Sequence, residues 1–255
     1  METAFQELIE QNKKHIDNKN QQTSYKIKYV TTYVENWLRV MSNAEYTKNL
    51  NFIDCMSNAG IYQDGDFCTA MEVLKLFKDY AEKFPHKNYC LYINDISKER
   101  LEIFKKVANV LFGDEVPKNI LLYCNNNDVN DYIRILTTND NLFTYPNATI
   151  LYVDPYDFGT VHIPTLRSFA NKYYCEIIFN VFTSDFVRNH MDKRISKAID
   201  DKDVDIKTKE DLVDYIVSQL KVNKMKYSFQ YEFRISTNVE LYQIMFLTPS
   251  PKGLD

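Results

Sequence analysis

Glycine is scarce here, with five in 255 residues. The G-x-G-x-x-G fingerprint and the G-x-x-x-x-G-K-[S/T] phosphate loop are both missing, which argues against a dinucleotide dehydrogenase and a nucleoside triphosphatase. No Ser or Cys stands in a nucleophile-elbow sequence. The four histidines, His15, His86, His162 and His190, are scattered without zinc-ligand spacing. Cys55, Cys68, Cys90, Cys124 and Cys175 are odd in number, lack C-x-x-C spacing and mostly fall in apolar runs. Neither a metal site nor a disulfide framework is expected of them, only buried, inert thiols. No apolar run approaches the ~18 residues of a membrane helix, and the N-terminus lacks a charged-then-apolar signal pattern. A cytoplasmic, reducing compartment with no membrane contact is the expectation. Net charge −4 and a pI near 5.7 give no global reason to expect nucleic-acid binding. The abundance of Tyr, Lys and Asn reflects a biased coding composition.

Against these absences stand three strand-like runs that finish in acids. Asn51-Phe52-Ile53-Asp54 opens onto the turn Cys55-Met56-Ser57-Asn58-Ala59-Gly60-Ile61-Tyr62, and the other two runs are Leu91-Tyr92-Ile93-Asn94-Asp95 and Ile150-Leu151-Tyr152-Val153-Asp154-Pro155-Tyr156. In an open parallel sheet ligands bind outside the carboxyl ends of the strands, so acids at several such ends belong to one site. Asp95 follows the glycine turn at a distance suited to a ribose hydroxyl, though farther on than the ~20 residues of dinucleotide enzymes. A nucleoside ligand without a pyrophosphate fits best.

The periodicity alternates strand and helix. Residues 1–21 are polar and read as a frayed helix. From Thr23 to about Met41, Tyr25, Tyr29, Val30, Tyr33, Trp37 and Val40 recur at helical steps. Strands are predicted at 50–56, 89–94, 120–124, 149–153 and 175–182. Helices are expected at 68–84, after the Asp95/Ser97 cap as far as Gly113, from Asp128 to Ile135, from Pro164, and at 211–220. Between 185 and 209 the chain is charged. Tyr227–Ile235 and Glu240–Leu247, separated by Ser236-Thr237-Asn238-Val239, predict an antiparallel hairpin. Five β-α units closed by a hairpin is the layout of a doubly wound, mostly parallel α/β sheet of the class I methyltransferase type, an analogy of fold only. The expected organisation is an N-terminal helical extension over 1–45 and a methyltransferase-like Rossmann domain over 46–250. The stop at Pro249-Ser250-Pro251-Lys252-Gly253-Leu254-Asp255 suggests a truncated C-terminus.

Four segments together resemble one family. Thr23-Ser24-Tyr25-Lys26-Ile27-Lys28-Tyr29-Val30-Thr31-Thr32-Tyr33-Val34-Glu35-Asn36-Trp37 looks like the helix that opens the three-Cys-motif partner proteins. Asp54 to Tyr62 is similar to that family's Asp-x-Phe-Ala-Gly-x-Gly-x-Tyr motif. Asp154-Pro155-Tyr156, and Asn180 with Asp185 and Arg188, fit its later Asp-Pro-Tyr and Asn-x-x-x-x-Asp-x-x-Arg patterns. The likeness spans about residues 23–250. It implies a methyltransferase-like protein that uses S-adenosylmethionine and accompanies a second protein carrying a cysteine motif of radical-SAM type. It also marks Lys26, Asn180, Asp185 and Arg188 as substrate-binding candidates. Ser57 and Asn58 depart from the motif, standing where Ala and Gly are usual. Asn tolerates left-handed backbone better than most residues.

Each candidate has two readings. Asp54 binds the cofactor's amino group through water, or caps its own turn. Ser57, Asn58 and Gly60 approach the cofactor, with Gly60 more simply a turn requirement. Asp95 takes the ribose hydroxyls, or caps a helix. Asp128 meets the adenine amino group, or caps a helix. Tyr62 and Phe67 pack on the cofactor, or belong to the core. Asp154 accepts an amine's hydrogens with Pro155 and Tyr156 shaping the substrate side, or Asp154-Pro155 merely ends a strand. Lys26, Lys28, Arg188, Lys193, Arg194 and Lys197 line a basic rim that would admit RNA or DNA, or are a solvated face. Two functions follow. One is an S-adenosylmethionine-dependent methyltransferase acting on an amine, a nucleobase in RNA or DNA among the candidates; the other is a non-catalytic partner subunit whose cofactor turn has drifted.

Overall fold

Short apolar runs bounded by turns become strands, and those at Asn49–Asp54, Asn88–Asn94, Ala148–Val153 and Glu176–Val181 are buried along nearly their whole length. The computed structural model describes residues 2–113, 116–139, 143–189, 193–199, 206–234 and 240–251. Its strands are β1 (Asn49–Asp54), β2 (Asn88–Asn94), β3 (Ile120–Asn125), β4 (Ala148–Val153), β5 (Glu176–Val181), β6 (Tyr227–Arg234) and β7 (Glu240–Thr248). Their order is β3-β2-β1-β4-β5-β7-β6. The pairs β1/β2, β2/β3 and β4/β5 are parallel, and β7 runs antiparallel to both β5 and β6. This is the expected α/β, mostly parallel sheet closed by a hairpin. The turn residues Ser236, Thr237, Asn238 and Val239 lie outside the described residues.

The helices are α1 (Glu2–Asn12), α2 (Gln21–Asn43), α3 (Thr69–Lys83), α4 (Lys98–Phe112), α5 (Val129–Thr138), α6 (Ile163–Lys172), α7 (Thr183–Asn189), α8 (Lys193–Ile199) and α9 (Lys209–Leu220). Two compact units divide the chain, Met1–Asp128 with Tyr145–Ala148, and Val129–Thr144 with Thr149–Asp255.

In the first unit, α3 buries Met71, Val73, Leu74, Phe77 and Ala81, the stripe its 3.6-residue period demands. Ser97 caps α4 by accepting the Arg100 N–H (3.3 Å). Buried Lys87 donates to the carbonyls of Ala44 (2.7 Å) and Thr47 (2.6 Å), so its charge is solvated by the end of α2 and the approach to β1. The N-terminal residues are better ordered than a frayed helix: α1 and a 3-10 turn at Lys13–His15 bury Leu8 and Ile9, and Ile16 follows them into the core. The next helix starts at Gln21, because Asn20 accepts the Thr23 N–H (2.8 Å) and caps it. The first strand stops at Asp54 rather than residue 56: an Asp54 carboxylate oxygen accepts the Met56 N–H (3.0 Å) and bends the chain.

In the second unit, Phe143, Phe169 and Tyr173 form an aromatic cluster with centroids 4.9–6.1 Å apart. The charged stretch, for which the sequence predicts no element of its own, holds most of α7 and all of α8 among its described residues, with Ala198 and Ile199 buried. Thr208 and Asp211 make a reciprocal capping box on α9.

Candidate functional site

In the first unit the three strand ends are stapled by asparagines. The Asn94 side-chain N–H groups donate to the carbonyls of Cys55 and Asn127 (both 3.0 Å), and its amide oxygen accepts the Asn127 N–H (3.1 Å). Asn126 donates to the carbonyls of Asp95 (2.8 Å) and Ile96 (2.9 Å). The turn after β1 is thereby fixed beside the end of β2.

Asp95 sits at that end, 4% exposed. One carboxylate oxygen accepts the Ser97 N–H (2.8 Å) and the other the Asn58 N–H (3.2 Å). Asn58 has φ +60° and accepts the Ala59 N–H on its own side chain (2.6 Å), so the left-handed backbone that a glycine would supply is held by Asn chemistry. The Ser57 hydroxyl is buried in the same turn without a hydrogen-bond partner, and its N–H donates to the Asn94 carbonyl (2.8 Å). Gly60, φ +86°, is a packing and turn requirement: a Cβ there would lie 3.0 Å from both Met71 Cε and Phe104 Cδ2.

Asp54 is buried and turned onto the Met56 N–H, as the capping alternative expected. Tyr62 is half-buried beside the turn. Phe67 packs edge-on against Phe5 (5.3 Å). Asp128 is exposed and immediately precedes α5. Lys26 is 8% exposed on α2 whereas Lys28 is exposed, so these two do not form a common open rim. Ile96, next to Asp95, is 77% exposed. Residue-by-residue reasoning missed it, although an apolar residue directly after a strand-end acid was visible.

Burial pushes the Asp95 carboxyl above the usual carboxylate range, against the pull of the Ser97 N–H, Arg100 and the Asn58 N–H, and Asp17 adds to the rise. A carboxyl raised on folding holds its proton more tightly in the folded chain. Its contribution to stability is therefore present at low pH and lost as pH rises through the folded pKa. The stability of wild type relative to Asp95→Asn is expected to fall as pH rises above the usual carboxylate range in urea titrations. A difference that instead grows with pH would mean that its partners, rather than burial, govern this group.

In the second unit the register Val153↔Phe179 sets the next residues, Asp154 and Asn180, side by side. Asn180 Nδ2 donates to Asp154 Oδ1 (2.7 Å) and the Tyr152 hydroxyl donates to Oδ2 (3.1 Å). Asn180 is fully buried, and its amide oxygen has no hydrogen-bond partner. Burial first, and then the charge of Asp154, push the Tyr242 phenol up. Pro155 is buried and turns the chain, leaving Tyr156 60% exposed.

Asp185 accepts the Phe158 N–H (3.3 Å), and Thr160 donates to Asp157 (2.7 Å), so the Asp-Pro-Tyr loop is braced from α7. Arg188 is exposed and donates to the Ser184 carbonyl of its own helix (3.2 Å). Asp185 and Arg188 thus serve the loop and helix in this structure. Lys197 is exposed; His190 and the side chains of Lys193 and Arg194 lie outside the described residues.

Burial raises the Cys68 thiol to about 12, with the Asp54 charge second, as suits an inert thiol. Among the described residues no helix is long and apolar enough to cross a membrane.

No family model and no curated protein matches the chain by sequence. Solved structures do match by fold. One is a candidate O-methyltransferase from Klebsiella pneumoniae, 8% identical over 97% of this chain and 90% of that one, with a TM-score of 0.50. The fold is methyltransferase-like. Human methyltransferase-like protein 13 in complex with SAH (15% identity, 90% and 83% coverage, TM-score 0.45) is also similar. So is a magnesium protoporphyrin IX methyltransferase from Synechocystis with bound SAH (9%, 96% and 93%, 0.44).

Proposed function

We propose that this chain is an S-adenosylmethionine-dependent methyltransferase acting on an amine, with a nucleobase amine as one candidate substrate. The observation that carries the reading is Asp95, a carboxylate kept buried at a strand end beside a left-handed turn. Burying an acid is costly unless it is used or compensated. A carboxylate offers about four acceptor directions, so Asp95 can hold Ser97 and Asn58 and still accept ribose hydroxyls. The partnerless Ser57 hydroxyl gives the turn a polar atom suited to a ligand, and the exposed Ile96 offers an apolar surface for a base. Asp54, Ser57, Asn58, Gly60 and Tyr62 form the turn that would hold the methionine part, with Asp128 at the adenine end.

S-adenosylmethionine supplies an electrophilic methyl group when bound. Methyl transfer then needs an aligned lone pair, which is mainly positioning. Asp154, fixed by Asn180 and Tyr152, is an acceptor suited to orienting an amine through its N–H groups. The exposed Tyr156 ring suits stacking on a base. The resemblance to the three-Cys-motif partner proteins supports a methyltransferase-like protein that uses S-adenosylmethionine.

A second reading is favoured by one observation: the Asn58 side chain fills a place where the resembled family has glycine. It is a non-catalytic subunit beside a cysteine-motif, radical-SAM-like protein. Incubation with methyl-labelled S-adenosylmethionine and paired acceptors, amine-bearing and hydroxyl-bearing nucleosides and oligonucleotides, separates the two. Label on amines is expected. Label only on hydroxyls contradicts the amine assignment, and cofactor binding with no transfer to any acceptor favours the subunit.

A further inference from the structure

The segment between α1 and α2 lies against the turn that follows β1, within the first unit. Asp17 is its centre. One carboxylate oxygen accepts from Asn58 Nδ2 (3.1 Å), the other from Arg100 Nη2 (2.8 Å), and its carbonyl accepts the Gln63 N–H (3.1 Å). The Gln63 side chain donates to the Ile16 carbonyl (2.7 Å), and Lys19 pairs with Asp64 (3.2 Å) and Asp66. Asn58 in turn donates its backbone N–H to Asp95. A connected path therefore runs from Asp17 through Asn58 to the carboxylate assigned to the ribose.

We infer that Asp17 is a positioning residue for the cofactor's nucleoside end, acting through Asn58; this rests on the S-adenosylmethionine reading above. A glycine at residue 58 would take φ +60° at no steric cost and need no side-chain anchor. Asn adopts that conformation with local strain, and the turn keeps it by tying both ends of the side-chain amide, Oδ1 to the Ala59 N–H and Nδ2 to Asp17. Asp17 therefore compensates for the absent glycine. Residues 13–20 are a wall of the site rather than an appendage. Arg100 shares the Asp17 carboxylate and stands on α4, which begins just after Asp95, so the same anchor steadies both flanks of that acid.

The test is calorimetric titration of S-adenosylhomocysteine into wild type, Asp17→Ala, Asn58→Gly and the double variant. Coupled neighbours in one hydrogen-bond network interact measurably. Asp17→Ala is expected to weaken binding about tenfold in the wild-type background and less than about twofold beside Asn58→Gly. Should Asp17→Ala fail to fold, Asp17→Asn, which keeps an oxygen for Asn58, takes its place with the same pattern at about threefold. Unchanged affinity in the Asp17 variant, or an equal loss in both backgrounds, overturns the inference and leaves the cofactor reading standing. No binding by folded wild type overturns both.

Discussion

Gly60→Val is expected to lower the melting temperature by about 6–20 °C, from about 3–5 kcal/mol of lost stability at the ~2–4 °C per kcal/mol of a chain this size. Two costs add. A non-glycine residue held at φ +86° carries roughly 1–2 kcal/mol of local strain. Its Cβ would also stand 3.0 Å from Met71 Cε and Phe104 Cδ2 and 3.4 Å from the Phe104 Cα. The Met71 tip can swing aside, but the Phe104 backbone belongs to α4 and its ring is fully buried. Overpacking of this kind costs roughly 1–3 kcal/mol, and the γ-methyls of Val enlarge it. Gly65→Ala separates the two costs. Gly65 has φ +89° but nothing within 4 Å of a Cβ, so it should show the strain alone. Equal drops in thermal unfolding for the two variants would remove the packing role assigned to Gly60.

Asp154→Ala is expected to reduce methyl transfer to an amine about a hundredfold, within the ~10²–10⁴ span of a positioned proton acceptor. The loss should fall on kcat more than on KM, since the carboxylate orients the reacting nitrogen rather than supplying general affinity. Asn180→Ala should cost less, about tenfold, because it acts through Asp154, which keeps Tyr152. Asp154→Asn is informative because an amide can turn its oxygen to Asn180 and its NH₂ to the Tyr152 hydroxyl. It preserves local packing while removing the charge. Steady-state rates on any acceptor found by label transfer read the effect. Asp154→Ala at wild-type rate would make Asp154 a strand-ending residue only, whereas Asp154→Asn near wild-type rate would show that an acceptor oxygen suffices without the charge.

Strand ends were legible because their signal is local. Asp54, Asp95 and Asp154 each close a short apolar run, and the structure puts each at or directly after such an end. The Asn58 conformation was legible too, since Asn tolerates φ > 0. Partnerships between distant residues were not. Asp17 and Asn58 stand 41 residues apart and Asn94 and Asn127 stand 33 apart. No periodicity encodes which amide meets which carbonyl. The pairing of Asp154 with Asn180, 26 residues on, follows from strand register, which is fixed by tertiary packing. Helices α7 and α8 were hidden because a charged stretch can still bury a few apolar side chains such as Ala198 and Ile199. The order at Leu8, Ile9 and Ile16 was hidden by the polar residues around them.

The cofactor assignment is most directly tested by calorimetric titration of S-adenosylhomocysteine into the purified chain, repeated on Asp95→Ala. Micromolar binding, about −8 kcal/mol, is predicted for wild type, with about 1.5–3 kcal/mol lost when the charge-assisted bonds of Asp95 are removed. A folded wild-type chain that gives no binding heat at any temperature tried would contradict the account and leave the non-catalytic subunit as the reading to pursue.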